Sequence, residues 1–373
     1  MRKTVILSIY ISVVLLILSA NQFKWSIHKN NHEEPLLNQA LAFTPTFVVP
    51  HKIDPGVSLS WAVREDSFLQ IQKAWNLSQG DKKIVVAIID TGMDYNHTDL
   101  KDNLWKNPKE ILDNGIDDDK NGYTDDVMGW DFVDNDSLPY DDHGHGTHVA
   151  GIIGAVKGNG IGISGICPNV SLMILKYYSQ AASGQDNLNN TVKAFRYAIA
   201  NGAHIINYSG GGAEFSQAEH DAILEAQAKG ILVVAAGGNE RQNADLHPYY
   251  PASYGLSNII AVAALTPLKK LVDSSNYGMK IDLAAPGQNI YSTLPKGQYG
   301  YMTGTSQATA VVTGIAALAL SRYGKLSAIE LKSLMTQSTD PLPSLKGKIR
   351  TGGVINAYSV LKHIAPFTIS LLQ

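Results

Sequence analysis

Residues 84–92 read Ile-Val-Val-Ala-Ile-Ile-Asp-Thr-Gly. An unbroken apolar run, mostly β-branched, ends in an acid and a glycine-bearing turn. Such a run suits a strand buried on both faces, as in parallel sheets. Segments 172–175, 204–208, 231–236 and 258–264 have the same texture. Between them, 146–156, 190–200 and 217–229 follow a helical period, and Gly230 stops the last of these. Two further helical stretches, 306–323 and 328–337, come after the strands. The alternation predicts an α/β domain with a mostly parallel twisted sheet and helices on both faces. Sheets of this kind hold ligands at the carboxyl ends of their strands. Asp90 stands at such an end, although an acid there is equally at home as a turn residue.

The chain has 373 residues, a formal net charge of -3 and 45% hydrophobic residues. That is enough for one large domain and too apolar for wholesale disorder. No basic cluster points to nucleic acid. Cys167 is the only cysteine, so no internal disulfide forms. Its neighbours Gly165, Ile166 and Pro168 offer nothing to activate a thiolate, and a small buried residue is expected. Arg2 and Lys3 precede an uncharged run over 4–20 that ends Leu18-Ser19-Ala20. This is the pattern of a signal peptide, with an uncleaved membrane anchor as the alternative. Either reading places the remainder outside the cytoplasm, secreted, periplasmic or held at the membrane surface. Residues 21–59, with Pro35, Pro45, Pro50 and Pro55, read as a leader, short pro-segment or linker. The folded domain is expected over 60–365, with a tail over 366–373, as a monomer.

Three local patterns carry chemistry. His145 lies in Asp141-Asp142-His143-Gly144-His145-Gly146-Thr147-His148. Three close histidines allow a metal site, but the spacing is not His-Glu-x-x-His and no Glu is near. One functional histidine with two structural neighbours is the expected arrangement. Ser306 lies in Gly304-Thr305-Ser306-Gln307, just before an apolar helix. A serine there is commonly a helix cap. The same position also gives a nucleophile an exposed oxygen at the positive end of a helix dipole. A serine hydroxyl needs a base to take its proton, and an acid to orient that base. Asp90, His145 and Ser306 supply the set in the order acid, base, nucleophile. Asn239, in Gly237-Gly238-Asn239-Glu240 after a buried strand, can donate an amide to an oxyanion together with the Ser306 N–H.

Asp90-Thr91-Gly92, His145-Gly146-Thr147-His148-Val149-Ala150-Gly151, Gly238-Asn239-Glu240 and Gly304-Thr305-Ser306 resemble the four signature blocks of the subtilisin-like serine proteases. The resemblance covers about 60–365 in the right order. It implies a subtilisin-like fold and a serine endopeptidase acting on proteins or peptides through an acyl-enzyme on Ser306. Asp90 would be the orienting acid, His145 the base and Asn239 the oxyanion donor. It further implies that Ser209, Gly210 and Gly211 form a cleft wall to which an extended peptide adds like a strand. Ala236, Gly237 and Gly238 would line the primary specificity pocket, with Tyr249 near its base. Where Gly210 stands, the family usually has a leucine-like residue, so a more open neighbouring subsite is expected. A cis Tyr250-Pro251 bond is also implied. The competing readings are a catalytically silent member serving as a binding or processing scaffold, and an esterase.

Structural calcium is the expected cofactor. Asp117, Asp119, Asn121 and Gly122 have the spacing of a calcium-loop start, and Tyr123, Asp125 and Asp126 complete the candidate ligands. Met128 stands where the closing Glu would be, and a solvated acidic loop is the alternative. By resemblance, Asp99 and Asn159 match side-chain ligands of the family's strong calcium site, around 157–163.

Overall fold

The first strand, β1, spans Gly80–Asp90 and contains the apolar run that opens the site. The computed structural model describes residues 53–363. The expected signal or anchor segment 1–20, most of the leader and the tail 366–373 lie outside the described residues. A short helix α1, Ile71–Trp75, leads into β1. Then follow β2 Gly129–Asp131, α2 His145–Gly154, β3 Asn169–Lys176, α3 Gly184–Ala200 and β4 Ile205–Tyr208. Next come α4 Gln217–Ala228, β5 Leu232–Ala236, β6 Ile259–Leu265 and β7 Leu283–Pro286. A hairpin of β8 Ile290–Leu294 and β9 Gln298–Met302 precedes α5 Thr305–Tyr323. The last elements are α6 Ala328–Gln337, β10 Thr339–Pro341, β11 Gly353–Ile355 and α7 Ala357–Lys362.

Among the described residues the main sheet has nine strands in the order β10-β11-β7-β6-β5-β4-β1-β3-β2. Its pairings are parallel except for β10 with β11. The chain runs from β1 to β3 on one side and then crosses to β4 on the other. That reversal opens a crevice at the carboxyl end of β1.

Alternate residues of each strand serve two cores, as the pleat requires. Val86, Ile88, Leu172, Ile174, Val234 and Val262 pack against α2 and α5. Ala87, Ile89, Met173, Leu175, Ile206 and Val233 pack against α3 and α4. Both faces are therefore covered, which is why the strands are apolar throughout. Helix α3 starts six residues before the expected 190, because the Ser183 side chain caps Asp186 N at 3.1 Å. Polar residues in that first turn hide the period. Gly230, with φ +75°, ends α4 as expected. The folded body starts earlier than residue 60. Asp54 is buried, and its carboxylate accepts from Gly158 N (2.7 Å), Gly160 N (2.9 Å) and Ser164 Oγ (2.6 Å). The Tyr250-Pro251 bond is cis. Among the described residues, no helix is long and apolar enough to cross a membrane.

Helix α5 passes close to the end of α2. A Cβ on Gly314 would lie 2.6 Å from Ile166 Cβ and 3.3 Å from the Ile153 carbonyl. Gly314→Val is expected to cost about 1–3 kcal/mol, the usual range for overpacking a core. The denaturation midpoint should fall at unchanged slope. An unchanged midpoint would mean this contact has slack.

Candidate active site

The register aligns the carboxyl ends of the central strands. Asp90 pairs with Lys176, Ile89 with Tyr208, and Tyr208 with Ala235. Asp90 thus ends β1 at the crevice, and α2 begins with His145 beside it. Asp90 Oδ1 lies 2.7 Å from His145 Nδ1 and also accepts from Thr91 N at 2.8 Å. A carboxylate only accepts, so Nδ1 carries the imidazole proton and Nε2 keeps a free lone pair. Burial acts to lower the His145 pKa. The charge and hydrogen bond of Asp90 overcome it, with a smaller contribution from Asp141, and the net shift is upward.

Two glycines permit this approach. Gly92, at φ +104°, turns the chain where a Cβ would sit 2.7 Å from the Pro139 carbonyl. A Cβ on Gly146 would lie 2.0 Å from the Gly92 carbonyl oxygen. Asp141, fully buried, then ties the two segments together. Its carboxylate accepts five hydrogen bonds, from Thr91 Oγ1, His143 N, Gly144 N, Thr147 N and Thr147 Oγ1. Thr91 Oγ1 in turn accepts from Gly146 N at 2.9 Å. The sequence places Asp141 in the histidine block but gives no sign of this role.

Ser306 sits in the first turn of α5. Gly304, not Ser306, is the N-cap, so the cap reading of this serine does not hold. Ser306 Oγ donates to the Ser209 carbonyl at 3.1 Å. No hydrogen bond joins it to His145 among the described residues. His145, Asp90, Ser209 and Gly210 line one cavity of about 210 Å³, so the serine's present acceptor lies on the wall of the histidine's cavity. Asn239 accepts from Thr305 N at 2.9 Å through Oδ1, which leaves its Nδ2 free to donate. The loop carrying Asn239 hangs on Asn276, buried, which the sequence did not mark. Asn276 accepts from Glu240 N and Gln242 N, and donates to the Gly237 carbonyl and Glu240 Oε2.

The expected substrate-binding residues converge from two loops. Cβ atoms added to Gly211 and Gly238 would lie 2.6 and 2.9 Å from the Tyr249 ring, so that ring spans both walls. Gly237 N is tied to the Val262 carbonyl, at the end of the strand that carries Ala236. Gly210 does not open the cleft as expected. A Cβ there would lie 2.1 Å from Tyr177 Oη and 2.9 Å from the Tyr208 ring, so tyrosines already fill the room.

The three histidines do not converge. His148 is fully buried, with Nε2 facing the carbonyls of Ile290 (3.0 Å) and Gly300 (3.2 Å). Burial lowers its pKa to about 4. The His143 ring stands 6.4 Å from that of His145. Cys167 is buried and its thiol is pushed far up by burial, which makes it inert.

In the acidic loop the structure gathers Glu110, Asp117 and Asp119, with carboxylate oxygens within 4.8 Å of one another. Glu110 lies upstream of the motif and supplies an acid where Met128 cannot. Asn121 N is held by Asp117 and Asp119. Asp125 instead caps Asn114 N and Gly115 N. Asp126 is buried beneath the loop, with Asn107, Asn121 and Tyr197 on its oxygens. The Tyr123 ring packs against Trp130 and Tyr197. Elsewhere, Asp99 accepts from Asn159 Nδ2 (2.7 Å), Ile163 N (2.8 Å) and Tyr299 Oη (3.1 Å). Asp54 grips the same 158–164 loop, a partner the sequence reading missed because the residue falls in the expected leader.

The model of the subtilase family matches residues 81–356. A thermophilic serine proteinase of Bacillus sp. (strain AK1) is 37% identical over 290 residues, covering 78% of this chain and 64% of that one. Thermitase of Thermoactinomyces vulgaris is 36% identical over 295 residues, covering 79% of this chain and 94% of that one. Subtilisin-like protease 1 of Plasmodium falciparum is 37% identical over 291 residues but matches only 42% of its own length. A solved protease from Pseudoalteromonas arctica superposes with a TM-score of 0.66 at 25% identity, covering 83% of this chain and 98% of that one.

NMR titration of the His145 ring is expected to give a pKa above the ordinary imidazole value of about 6.5. Asp141→Asn removes one of the charges that raise it, and should move the titration downward. A ring that titrates at or below the ordinary value in the wild-type protein would refute this electrostatic account.

Proposed function

The chain belongs to the subtilase family, and from that premise we propose an exported endopeptidase in which Ser306 is the nucleophile, His145 the base, Asp90 the orienting acid and Asn239 the oxyanion donor. The domain is of the serine-type endopeptidase class. The observation that carries the residue roles is the 2.7 Å contact of Asp90 with His145 Nδ1, which leaves Nε2 free to take a proton. On this reading, rotation of Ser306 Oγ away from the Ser209 carbonyl brings it to Nε2, as apo hydrogen bonds in such sites often rearrange on substrate binding. Oγ attacks the scissile carbonyl and its proton passes to Nε2. Asn239 Nδ2 and the Ser306 N–H donate to the oxyanion. The imidazolium, stabilised by Asp90, protonates the leaving amine. Water then repeats the sequence on the ester, and Oγ regains its proton.

A peptide would add along Ser209–Gly211, with a side chain entering between Ala236–Gly238 and Tyr249. Export is supported by the signal-like run at 4–20. We place two calcium sites in it. Glu110, Asp117, Asp119 and Asn121 would hold one ion. Asp99 and Asn159, with Asp54, would hold the other. All these donors are hard oxygens, which suit calcium. Each ion would fix a surface loop and take no part in the reaction.

A fluorophosphonate probe is expected to label Ser306 and abolish peptide hydrolysis. Labelling elsewhere, or an active Ser306→Ala enzyme, ends the assignment. Asn239→Ala should lower kcat by about 10²–10³-fold with little change in KM. A change confined to KM would make Asn239 a ground-state contact.

EDTA should lower the thermal midpoint and calcium restore it better than magnesium. Glu110→Gln should weaken that dependence. If Glu110→Gln and Asp119→Asn both leave it intact, the acidic loop is not a site.

A further inference from the structure

A second cavity, of about 450 Å³, adjoins the catalytic crevice and shares Tyr177 and Tyr178 with it. Its walls include Gln185, Tyr208 and Tyr250, with the backbone of Gly211 and Gly212 at the side nearest the cleft wall. Glu219 also lines it, although only 3% of that residue is exposed. No Lys, Arg or His lines it among the described residues. The mechanism above leaves this carboxylate without a task.

The local sequence would send Glu219 elsewhere. Ser216-Gln217-Ala218-Glu219 is a capping-box pattern, as is Ser327-Ala328-Ile329-Glu330. In α6 the box closes: Glu330 accepts from Ser327 N at 2.8 Å and from its Oγ at 2.7 Å. In α4 only half of it forms: Ser216 Oγ accepts from Glu219 N at 3.3 Å, but the Glu219 carboxylate does not return to Ser216 N. Ser216 N turns to Tyr254 Oη at 3.3 Å. Glu219 reaches into the cavity, where Tyr254 Oη donates to Oε2 at 2.7 Å. No protein group donates to Oε1 among the described residues. Oε1 is not sealed off, so a largely buried carboxylate with no cation nearby presents an open acceptor to the cavity. Tyrosine faces around it suit an ammonium or guanidinium group.

We propose that this cavity is a specificity subsite for a basic substrate side chain, Lys or Arg, at a position away from the scissile bond, and that Glu219 selects it. The proposal rests on the endopeptidase reading and names a substrate class for it. A site built to pair a donor discriminates strongly against an apolar group that leaves its acceptor unmet. Burial pushes the Glu219 carboxyl up to about 7, against the hydrogen bond from Tyr254. The groups facing it are the hydroxyls of Tyr177, Tyr208, Tyr249 and Tyr254 and the carboxylate of Glu214. His220, next on α4, meets the Tyr254 ring edge to face.

The test uses peptide pairs that differ only in Arg or Leu at one position, scanned along the substrate. Wild-type enzyme should prefer Arg at one position remote from the cut by at least about tenfold in kcat/KM, the effect of one hydrogen bond to a charged group. Glu219→Gln, which keeps an acceptor for Tyr254, should bring that ratio close to one. The wild-type ratio should climb as pH rises through about 7. Taking the ratio cancels the titration of His145, which both peptides share. The same pairs, measured for binding to Ser306→Ala by fluorescence anisotropy, should show the same preference without turnover. If no position prefers Arg, if the preference survives Glu219→Gln, or if the ratio is flat with pH, the proposal is overturned. If neither peptide is cleaved, the endopeptidase reading fails, and the anisotropy preference alone decides the subsite.

Discussion

The burial of one helix on all sides sets the rest of the molecule. Every residue of α5 from Thr305 to Leu320 is buried. A helix at the surface needs one apolar stripe, but a helix inside a domain must be apolar or small all round. The composition here obeys that, with Ala308, Ala310, Gly314, Ala316, Ala317 and Ala319 allowing close approach of the sheet and α2. The packing fixes the axis of α5, and so fixes where its first turn emerges. Ser306 is held against the crevice wall at Ser209 because the residues behind it cannot move. Thr313 makes the same point from the polar side: its hydroxyl donates to Asn207 Oδ1 of β4 at 2.8 Å, inside the core.

Helices can be positioned by packing, but loops need polar nodes. Asp141 and Asn276 play that part on opposite sides of the crevice. Asp141 is a buried charge whose five partners are all donors, so its charge is met without a salt bridge. Hydrogen bonds to a charged group are stronger than neutral ones. Losing the acceptor would leave five donors to find partners in a space closed to water. Asn276 is neutral and uses both ends of its amide, which holds the Gly237–Gln242 segment in one conformation. Neither residue touches the catalytic cavity, yet each determines how the residue that does will point.

The sequence made the central strands legible because burial on both faces writes a continuous apolar run. It hid β2, β7 and β11, which have only three or four residues. A Gly-Trp-Asp or a Leu-Ala-Ala-Pro is too short to carry a period. The triad candidates were legible because each sits in a local motif whose glycines mark a forced approach. The candidate ligands of the acidic loop were only half legible. Spacing picks out Asp117, Asp119 and Asn121, but it cannot tell that Asp125 and Asp126 turn to the loop's own scaffold, nor that Glu110 returns from upstream. Asp54 was hidden by lying in a proline-rich stretch that reads as linker. Asp141 was visible and unreadable: one acid of two in a row, with nothing local to distinguish the buried one.

The cleft shows why a single departure from a family pattern does not translate into a hole. The expected consequence of Gly210 was open space, since a bulky wall residue is missing. Bulk in a close-packed interior is shared among neighbours, however. Here Tyr177, following β3, leans over Gly210 until its hydroxyl occupies the place a side chain would take. The ring that fills that gap is then one wall of the next cavity, and the floor passes to α4. Glu219 belongs to that floor, in a position whose local sequence would otherwise close a capping box. The change at Gly210, the tyrosines around it and the diverted glutamate are thus one repacked unit, and the chemistry of the cavity follows from their combination rather than from any one of them.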